Sequence, residues 1–265
     1  MVASEEELTE RAREDDHSRP TTLAIDIGGT GLKASVLDAT GRKIVERVRT
    51  ETPYPCPPRV LIRELDRLTH PLPSWDRVSV GFPGFVRHGR VLTAPNLSTK
   101  AGPGTKMVRK LVDAWAGFPL ATELEARLGK PTRVANDADM HGLAVISGNE
   151  LELVITLGTG LGTAVFLDGV PTPHLELAFM PFHGSGTFQD HLGNATRRRI
   201  GNRRWSKRVL ETVEMFDALL HFDRLYVGGG NAKKLTVDLG HRAVLVDNNA
   251  GILGGIKLWD LDTVT

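Results

Sequence analysis

Cysteine is almost absent from the sequence, and charge of neither sign is in excess. Cys56 is the single cysteine in 265 residues, which excludes an internal disulfide framework and a cysteine-rich zinc site. The formal net charge of +1 gives no general reason to expect nucleic acid or a membrane as a partner. Scarce cysteine fits the reducing cytoplasm, so we expect a cytoplasmic protein without structural zinc.

The first twenty residues have no long apolar run. They contain SEEELTERAREDD, which predicts a disordered or frayed leader over 1–20 rather than a signal peptide or membrane anchor. The chain as a whole has 40% hydrophobic and 25% charged residues, the composition of a globular protein. Its length provides enough core for one large domain or two lobes.

A glycine cluster follows the first apolar segment, in LAIDIGGTGLKASVLD (23–38). It is not a P-loop, because Lys33 is followed by Ala34 instead of Ser or Thr. It is not the dinucleotide fingerprint either, because Ala34 stands where the last glycine would fall. The alternating apolar residues after the glycines favour a strand, a turn and a second strand. A phosphate cradle and a plain tight turn both remain open at this point.

The same pattern returns in LVITLGTGLGTAVFLDG (153–169). Two such hairpins would each direct backbone N–H groups at one anion, with glycine allowing close approach. The repeat therefore favours two related lobes and a phosphate cradle over a chance likeness of two hairpins. The candidate phosphate or nucleotide ligands are Asp26, Gly28, Gly29, Thr30, Gly31, Lys33, Thr156, Gly158, Thr159, Gly160 and Gly162.

Between the hairpins, the strand-like segment PTRVAND (131–137) ends in Asn136 and Asp137. Strands that alternate with helices predict a mixed α/β fold, in which ligands meet the ends of strands. Asp137 could accept the proton of a hydroxyl group as a phosphoryl group reaches it, and capping the next helix is an equal alternative. Asp26 could hold a hydrated Mg²⁺ beside Lys33.

Four motifs together resemble the ROK family of sugar kinases in order and separation, from about Thr22 to Trp259. They are DIGGT (26–30), NDAD (136–139), TLGTGLGTA (156–164) and VGGG (227–230). The resemblance implies an α/β, two-lobed actin/hexokinase-like (ribonuclease H-like) fold with the ligand cleft between the lobes. It also implies a homodimer.

The lobes that the resemblance implies are discontinuous along the chain. The small lobe would comprise 21–135, completed by a C-terminal helix over 250–265, and the large lobe would comprise 136–249. Asp137 would be the catalytic base toward a hexose 6-hydroxyl, with Mg²⁺ on the donor phosphates and on Asp26 through water. Gly228, Gly229 and Gly230 would lie near the adenosine part of a nucleotide. The implied sugar-binding residues are Gly84, Asn96, Asn136, Asp137 and Glu176.

Two departures from the family concern the sugar. The usual Glu-x-Gly-His is HLELAFMPF (174–182) here, so Glu176 is kept while Ala178 and Phe179 replace the Gly-His pair. Gln189 or Asp190 occupies the region of a further sugar-contacting Glu. Phe179 has no polar group to bind a hydroxyl. The sugar therefore stays open between glucose, mannose and an amino sugar, and a catalytically weakened sugar sensor is the alternative function.

The family's cysteine-rich zinc motif is absent, and in this respect the chain is similar to the shorter polyphosphate- and ATP-using glucokinases. A basic run, RRRIGNRRWSKR (197–208), fits that subgroup, because successive arginines could track a linear polyphosphate. The candidates are Arg199, Arg203, Arg204 and Lys207. A solvated helix face is the alternative, and nucleic acid is not expected, because only Trp205 interrupts the cations.

Four further side chains are not expected to bind ligands. We expect Trp205 to pack in the interior, and His174, His183 and His191 to be surface or loop residues, because no metal-ligand spacing connects them. The sequence thus predicts a cytoplasmic hexose kinase that uses polyphosphate, ATP or both, with Mg²⁺, and acts on the 6-hydroxyl of glucose or mannose.

Overall fold

Strands and helices alternate along most of the chain in the computed structural model, which describes residues 20–246 and 250–261. The strands are β1 (Thr22–Ile27), β2 (Leu32–Leu37), β3 (Val48–Thr50), β4 (Arg77–Phe82), β5 (Val86–Arg87), β6 (Arg90–Val91), β7 (Thr132–Asn136), β8 (Leu151–Leu157), β9 (Leu161–Leu167), β10 (Val170–Pro171), β11 (Arg224–Gly228) and β12 (Ala243–Leu245). The helices are α1 (Pro58–Thr69), α2 (Arg109–Trp115), α3 (Leu120–Leu128), α4 (Asp137–Val145), α5 (Phe188–Leu192), α6 (Asn194–Ile200), α7 (Asn202–Leu220) and α8 (Ala250–Lys257). Short 3₁₀ turns occur at Leu177–Phe179 and Ala232–Lys234.

The two large sheets have the same design. Their strand orders are β3-β2-β1-β4-β7 and β10-β9-β8-β11-β12. In each, a glycine hairpin of antiparallel strands (β1 with β2, β8 with β9) continues into parallel neighbours. The likeness first seen between two hairpins therefore extends to the topology of five strands in each lobe.

Helix α4 lies between the two sheets and connects their cores. Its residues Met140 and Leu143 are buried in a cluster that also contains Phe166 of β9. Gly142 allows this contact, because a Cβ at that position would overlap the ring of Phe166. The first turn of the helix therefore has a fixed position between the lobes.

Each lobe also has its own hydrophobic core. In the first lobe, Leu61 and Leu65 lie one helical turn apart on α1 and are both fully buried. In the second lobe, Trp205 and Phe216 of α7 are fully buried, which confirms the interior packing expected for Trp205. No helix within 20–246 and 250–261 is long and apolar enough to cross a membrane.

The C-terminal helix is shorter than predicted. The sequence predicts a helix over 250–265, whereas α8 ends at Lys257, and turns follow to Leu261. The guanidinium of Arg133 donates hydrogen bonds to the carbonyl oxygens of Leu258 and Leu261, at 2.7 and 2.8 Å, and so binds the chain in a non-helical path. Residues 262–265 lie outside the described part, as does the leader expected over 1–20 except for Pro20.

Helix α8 is fastened to the first sheet by polar contacts. The hydroxyl of Ser79 on β4 donates to the carbonyl oxygen of Gly255 at 2.5 Å, and the indole N–H of Trp259 donates to that hydroxyl at 2.8 Å. Arg133 also lies over the Trp259 ring, 4.7 Å from its centroid. Residues 255–259 thus pack on the lobe that contains β1 and β4.

Candidate active site

A cleft of about 520 Å³ lies between the two sheets, where the turns of both glycine hairpins face one another. Helix α4 begins at its floor. The predicted site residues that line it are Asp26, Gly28, Gly29, Thr30, Lys33, Gly84, Asn96, Asn136, Asp137, Thr156, Gly158, Thr159, Gly160, Gly162, Glu176 and Gly229. Residues predicted from separate stretches of sequence therefore converge on one cavity.

Three predicted glycines do not line this cleft. The carbonyl oxygen of Gly31 accepts the 2.9 Å hydrogen bond from Gly28 that closes the first turn, and the residue itself is buried beside Thr50. Gly228 is buried against His141, and a Cβ at this position would lie only 2.5 Å from the ring Nε2. Gly230 is exposed beyond the strand end. These glycines shape the backbone around the site.

The two glycine turns are built alike. In each turn, a glycine N–H donates to the carbonyl oxygen of a later glycine: Gly28 to Gly31, three residues on, at 2.9 Å, and Gly158 to Gly160, two residues on, at 3.0 Å. The backbone N–H groups of Gly29, Thr30 and Thr159 donate to no acceptor in the described part of the chain. Backbone N–H groups that border a cleft and have no acceptor of their own are suited to binding an anion.

Gln189 supports the second turn from behind. Its side-chain oxygen accepts a 2.8 Å hydrogen bond from the N–H of Leu161, and its amide fills the space that a side chain at Gly160 would need. Asp190, the other residue considered for this region, instead binds the backbone N–H of Thr187 at 2.8 Å and caps α5. Only Gln189 of the two therefore borders the cleft.

Asp26 and Lys33 form an ion pair at the first turn. They are opposite each other in the hairpin register, and Lys33 Nζ lies 2.7 Å from Asp26 Oδ2. Mg²⁺ is commonly bound by one or two carboxylates together with substrate phosphates. The half-exposed carboxylate of Asp26 lines the cleft and fits such a role.

Asn136, and not Asp137, caps helix α4. The side-chain oxygen of Asn136 accepts from the N–H of Ala138 at 2.7 Å, and its amide donates to the carbonyl oxygen of Gly84 at 3.0 Å. The alternative that Asp137 is the N-cap is therefore wrong. Because Asn136 already supplies the cap, the Asp137 carboxylate lies at the N-terminus of the helix and lines the cleft.

The surroundings of Asp137 favour its protonated form. Desolvation by the surrounding protein raises the pKa of Asp137 to about 7, and the negative charges of Asp26 and Glu176 contribute to the increase. The hydrogen bond from Ala138 acts in the opposite direction. Solvent still reaches the side chain through the cleft. A carboxylate that titrates near neutrality is well matched to accepting a proton.

His174 lies in a loop, one of the two expected alternatives, but it is buried and lines the cleft instead of the surface. It is 4% exposed, and its Nδ1 lies 2.9 Å from Asp139 Oδ2 on α4. The ring meets Phe85 edge to face, with centroids 5.3 Å apart. Asp139 precedes His174 by 35 residues, so no local spacing indicates the contact. His183 is exposed, as expected.

His141 is a second cleft residue that sequence reasoning missed. It lies one helical turn after Asp137 on α4 and is 8% exposed. Burial lowers its pKa, although the charge of Asp26 opposes the change. The four-residue spacing from Asp137 was the available signal, because such a spacing places two side chains on one helix face.

The basic run lies beside the cleft rather than in it. Arg199, Arg203, Arg204 and Lys207 are all exposed on α6 and α7. The two helices are separated at Gly201, which has a φ of 81°. Helix α6 begins at the second glycine turn, where the N–H of Asn194 donates to the carbonyl oxygen of Thr159 at 3.2 Å. The run therefore extends outward from the edge of the candidate phosphate site.

Known proteins resemble the chain over nearly its whole length. The family described as "ROK family" matches residues 22–173. A polyphosphate glucokinase of Mycobacterium tuberculosis is 27% identical over 257 residues, covering 91% of this chain and 92% of its own. An N-acetylmannosamine kinase of Escherichia coli is 35% identical over 154 residues, which is 56% of this chain and 48% of that protein.

Solved structures agree with the fold. The inorganic polyphosphate/ATP-glucomannokinase of Arthrobacter is 28% identical, with a TM-score of 0.76 over 92% of this chain and 100% of its own. A ROK glucokinase of Streptomyces griseus, solved with glucose and AMPPNP, shares the fold at 18% identity, with a TM-score of 0.71 over 90% of this chain and 98% of its own. These likenesses confirm the predicted two-lobed α/β fold.

Proposed function

This chain belongs to the ROK family, and on that premise we propose that it is a hexose kinase that phosphorylates the 6-hydroxyl of glucose with ATP or inorganic polyphosphate. The observation that carries the proposal is the position of Asp137, whose carboxylate faces a cleft bordered by the turns of both glycine hairpins. A phosphate donor and a hydroxyl acceptor could meet there with the carboxylate beside them.

The proposed reaction needs one acceptor for the hydroxyl proton and several fixed hydrogen-bond donors for the phosphates. The sugar oxygen attacks the terminal phosphorus while Asp137 takes the hydroxyl proton, and the bond from phosphorus to the donor's bridging oxygen breaks. The N–H groups of Gly29, Thr30 and Thr159 would bind the donor phosphates. A Mg²⁺ bound with the donor, held by Asp26 through water, would offset the phosphate charge. Lys33 supplies a further positive charge.

The acceptor would lie on the other side of Asp137. Gly84, Asn96 and Glu176 line the cleft and would bind it there. Tyr54 supports the loop, since its hydroxyl lies within hydrogen-bond distance of the carbonyl oxygens of Gly29 and Asn96, at 2.7 and 3.0 Å. Phe179 is 51% exposed at the cleft edge and offers only apolar surface. That feature favours the second candidate function, a sugar sensor with weakened catalysis.

Polyphosphate as a donor is supported by the relatives and by charge. The M. tuberculosis and Arthrobacter proteins both carry polyphosphate in their names. Here the exposed cations of α6 and α7 begin behind Thr159, where a long donor would leave the cleft. We therefore propose that the basic run binds the chain of a polyphosphate beyond its reacting end.

The donor proposal predicts a selective effect of two arginines. Replacing Arg203 and Arg204 by Ala should raise KM for long-chain polyphosphate several-fold and leave KM for ATP unchanged, because only the longer donor reaches the run. Arg63 and Arg67, exposed on α1, provide the matched control pair. Equal changes in KM for both donors would contradict the proposal and indicate that the basic run is only a solvated helix face.

The function itself is tested by measuring sugar phosphate. Purified protein is incubated with Mg²⁺, with ATP or polyphosphate, and with glucose, mannose or N-acetylmannosamine, and the product is identified by its phosphorylated position. Phosphorylation of glucose at its 6-hydroxyl is the expected result. Sugar binding without turnover for any donor would favour the sensor, and a preference for another sugar would correct the substrate.

A further inference from the structure

His174 has one ring nitrogen that the site described so far does not use. Nδ1 faces the carboxylate of Asp139, which can only accept when ionised, so we assign the Nδ1 proton to this bond. Nε2 is buried and has no hydrogen-bond partner among the described residues. A buried polar atom without a partner is costly, which makes its surroundings informative.

The group that faces Nε2 is the carboxylate of Glu176. Glu176 Oε1 lies 3.6 Å from Nε2, just beyond hydrogen-bond distance. The side chain of His174 is 2% exposed, while that of Glu176 is 26% exposed and lines the cleft. Both residues line the cleft, and Glu176 is the more exposed of the two.

Hydrogen bonds hold the backbone around this pair, while the Glu176 side chain is partly exposed to the cleft. The carbonyl oxygen of Leu175 accepts from the Thr163 hydroxyl at 3.0 Å, and that of Glu176 accepts from the N–H of Phe179 at 3.1 Å. A small rotation of the side chain would close the 3.6 Å gap into a hydrogen bond from Nε2–H.

The charges favour that bond. Burial lowers the pKa of His174, but the carboxylates of Asp139 and Glu176 outweigh it and raise the pKa to about 10. Burial raises the pKa of Asp139, and His174 counters that effect. Because each ring nitrogen of His174 faces a carboxylate, we assign a proton to both nitrogens. Nε2 then carries a hydrogen and can only donate.

We propose that Asp139, His174 and Glu176 form a relay in which His174 is a positioning residue: it holds the Glu176 carboxylate directed at the hydroxyl groups of the acceptor sugar. This inference rests on the proposed function. It gives His174 and Asp139 a role in sugar recognition that acts through Glu176. A carboxylate held in this way accepts from hydroxyl groups and disfavours an anionic sugar.

The test is a double-mutant cycle on sugar binding without donor, measured by calorimetry. His174→Leu should weaken glucose binding roughly tenfold or more, the usual scale for loss of a hydrogen bond to a charged group. Glu176→Ala should weaken it at least as much. The double variant should bind no more weakly than Glu176→Ala, because His174 acts only through Glu176. ATP affinity should be unchanged throughout.

Two further variants separate positioning from a structural role. His174→Gln keeps an N–H donor of similar reach and should restore part of the affinity lost in His174→Leu. His183→Leu removes an exposed histidine that also pairs with a glutamate, Glu211, at 2.9 Å outside the cleft, and should change nothing. If His174→Leu does not fold, the cycle is run with His174→Gln, and the same absence of additivity is expected.

The outcomes distinguish the inference from the function on which it rests. Glucose phosphorylation by the wild type, with strictly additive losses in the cycle, would overturn the relay and leave the kinase intact. A His174→Leu protein with normal glucose affinity would overturn it as well. A folded wild type that binds no hexose would overturn the proposed function and the relay together.

Discussion

At the scale of single residues, the cleft concentrates negative charge where a phosphorylated donor must bind. Asp26, Asp137 and Glu176 line it, and the charges of Asp26 and Glu176 both act on Asp137. Lys33 neutralises Asp26 through a direct ion pair, whereas Asp137 has no cation against it in the described residues. Desolvation is the larger cause of the raised pKa of Asp137, and the charges of Asp26 and Glu176 add to it.

A pH profile tests that assignment. We expect kcat/KM for the sugar to rise with pH through about 7 and then level off, because only the ionised Asp137 accepts the hydroxyl proton and its pKa is raised to about 7. An ordinary aspartate would place this limb near about pH 4. The profile should be recorded with saturating ATP and again with saturating polyphosphate, because the phosphate groups of the donor themselves titrate at about pH 6. An activity that is already maximal at roughly pH 5, close to the ordinary range of a carboxyl group, would contradict the assignment.

The residue scale also shows what the sequence can reveal. Asn136 and Asp137 are predictable because a strand that ends in polar residues places them at a sheet edge. His141 is partly predictable from its four-residue spacing to Asp137. His174 is not, because its environment depends on Asp139, 35 positions away, and on the way residues 172–176 return over β9.

At the scale of elements, the glycine hairpins are the units that the sequence predicts best. The alternation of apolar and polar residues predicts their strands, and the turn glycines predict where the backbone reverses direction. Helix α3 is equally predictable, since Gly129 ends it in the left-handed conformation with a φ of 69°. The predicted C-terminal helix is too long, because the hydrogen bonds from Arg133 that divert the chain come from a distant strand.

Gly158→Ala tests whether the second turn binds a phosphate. A Cβ at this position would meet no protein atom within 4 Å, and the backbone φ is not positive, so the variant should fold normally. If a donor phosphate rests on this turn, the methyl group will obstruct it and KM for the donor should rise roughly tenfold or more, while glucose affinity stays unchanged. An unaltered KM for both donors would place the phosphate elsewhere.

At the scale of the whole molecule, helices α4 and α8 connect the repeated sheets. Helix α4 carries Asp137 at one end and packs on β9 of the second lobe, while α8 packs on α4 and on the first sheet. The sequence indicates the repeat of hairpins, but the packing of two glycine-containing helices depends on complementary surfaces that a single sequence does not display. The division of the chain into lobes at 135 and 136 remains a proposal.

Gly254→Ala tests the contact between these helices. A Cβ at Gly254 would overlap the backbone carbonyl oxygen of Met140 on α4, so α8 must move away. We expect a loss of about 1–3 kcal/mol in the free energy of unfolding, typical of overpacking, measured by denaturant titration. Lys257→Ala, on the exposed side of the same helix, should cost little. A Gly254→Ala protein as stable as that control would contradict the packing.

The most direct test of the central claim is the turnover of Asp137→Asn. The amide keeps the size of the side chain and can still accept from the Ala138 N–H, so folding and the binding of glucose and donor should persist. Without a proton acceptor, kcat should fall by roughly 10²- to 10⁴-fold. Asp113→Asn, an exposed aspartate on α2, serves as the matched control and should keep full activity. If Asp137→Asn forms hexose phosphate at the wild-type rate, the cleft described above is not organised around this carboxylate, and the account is wrong.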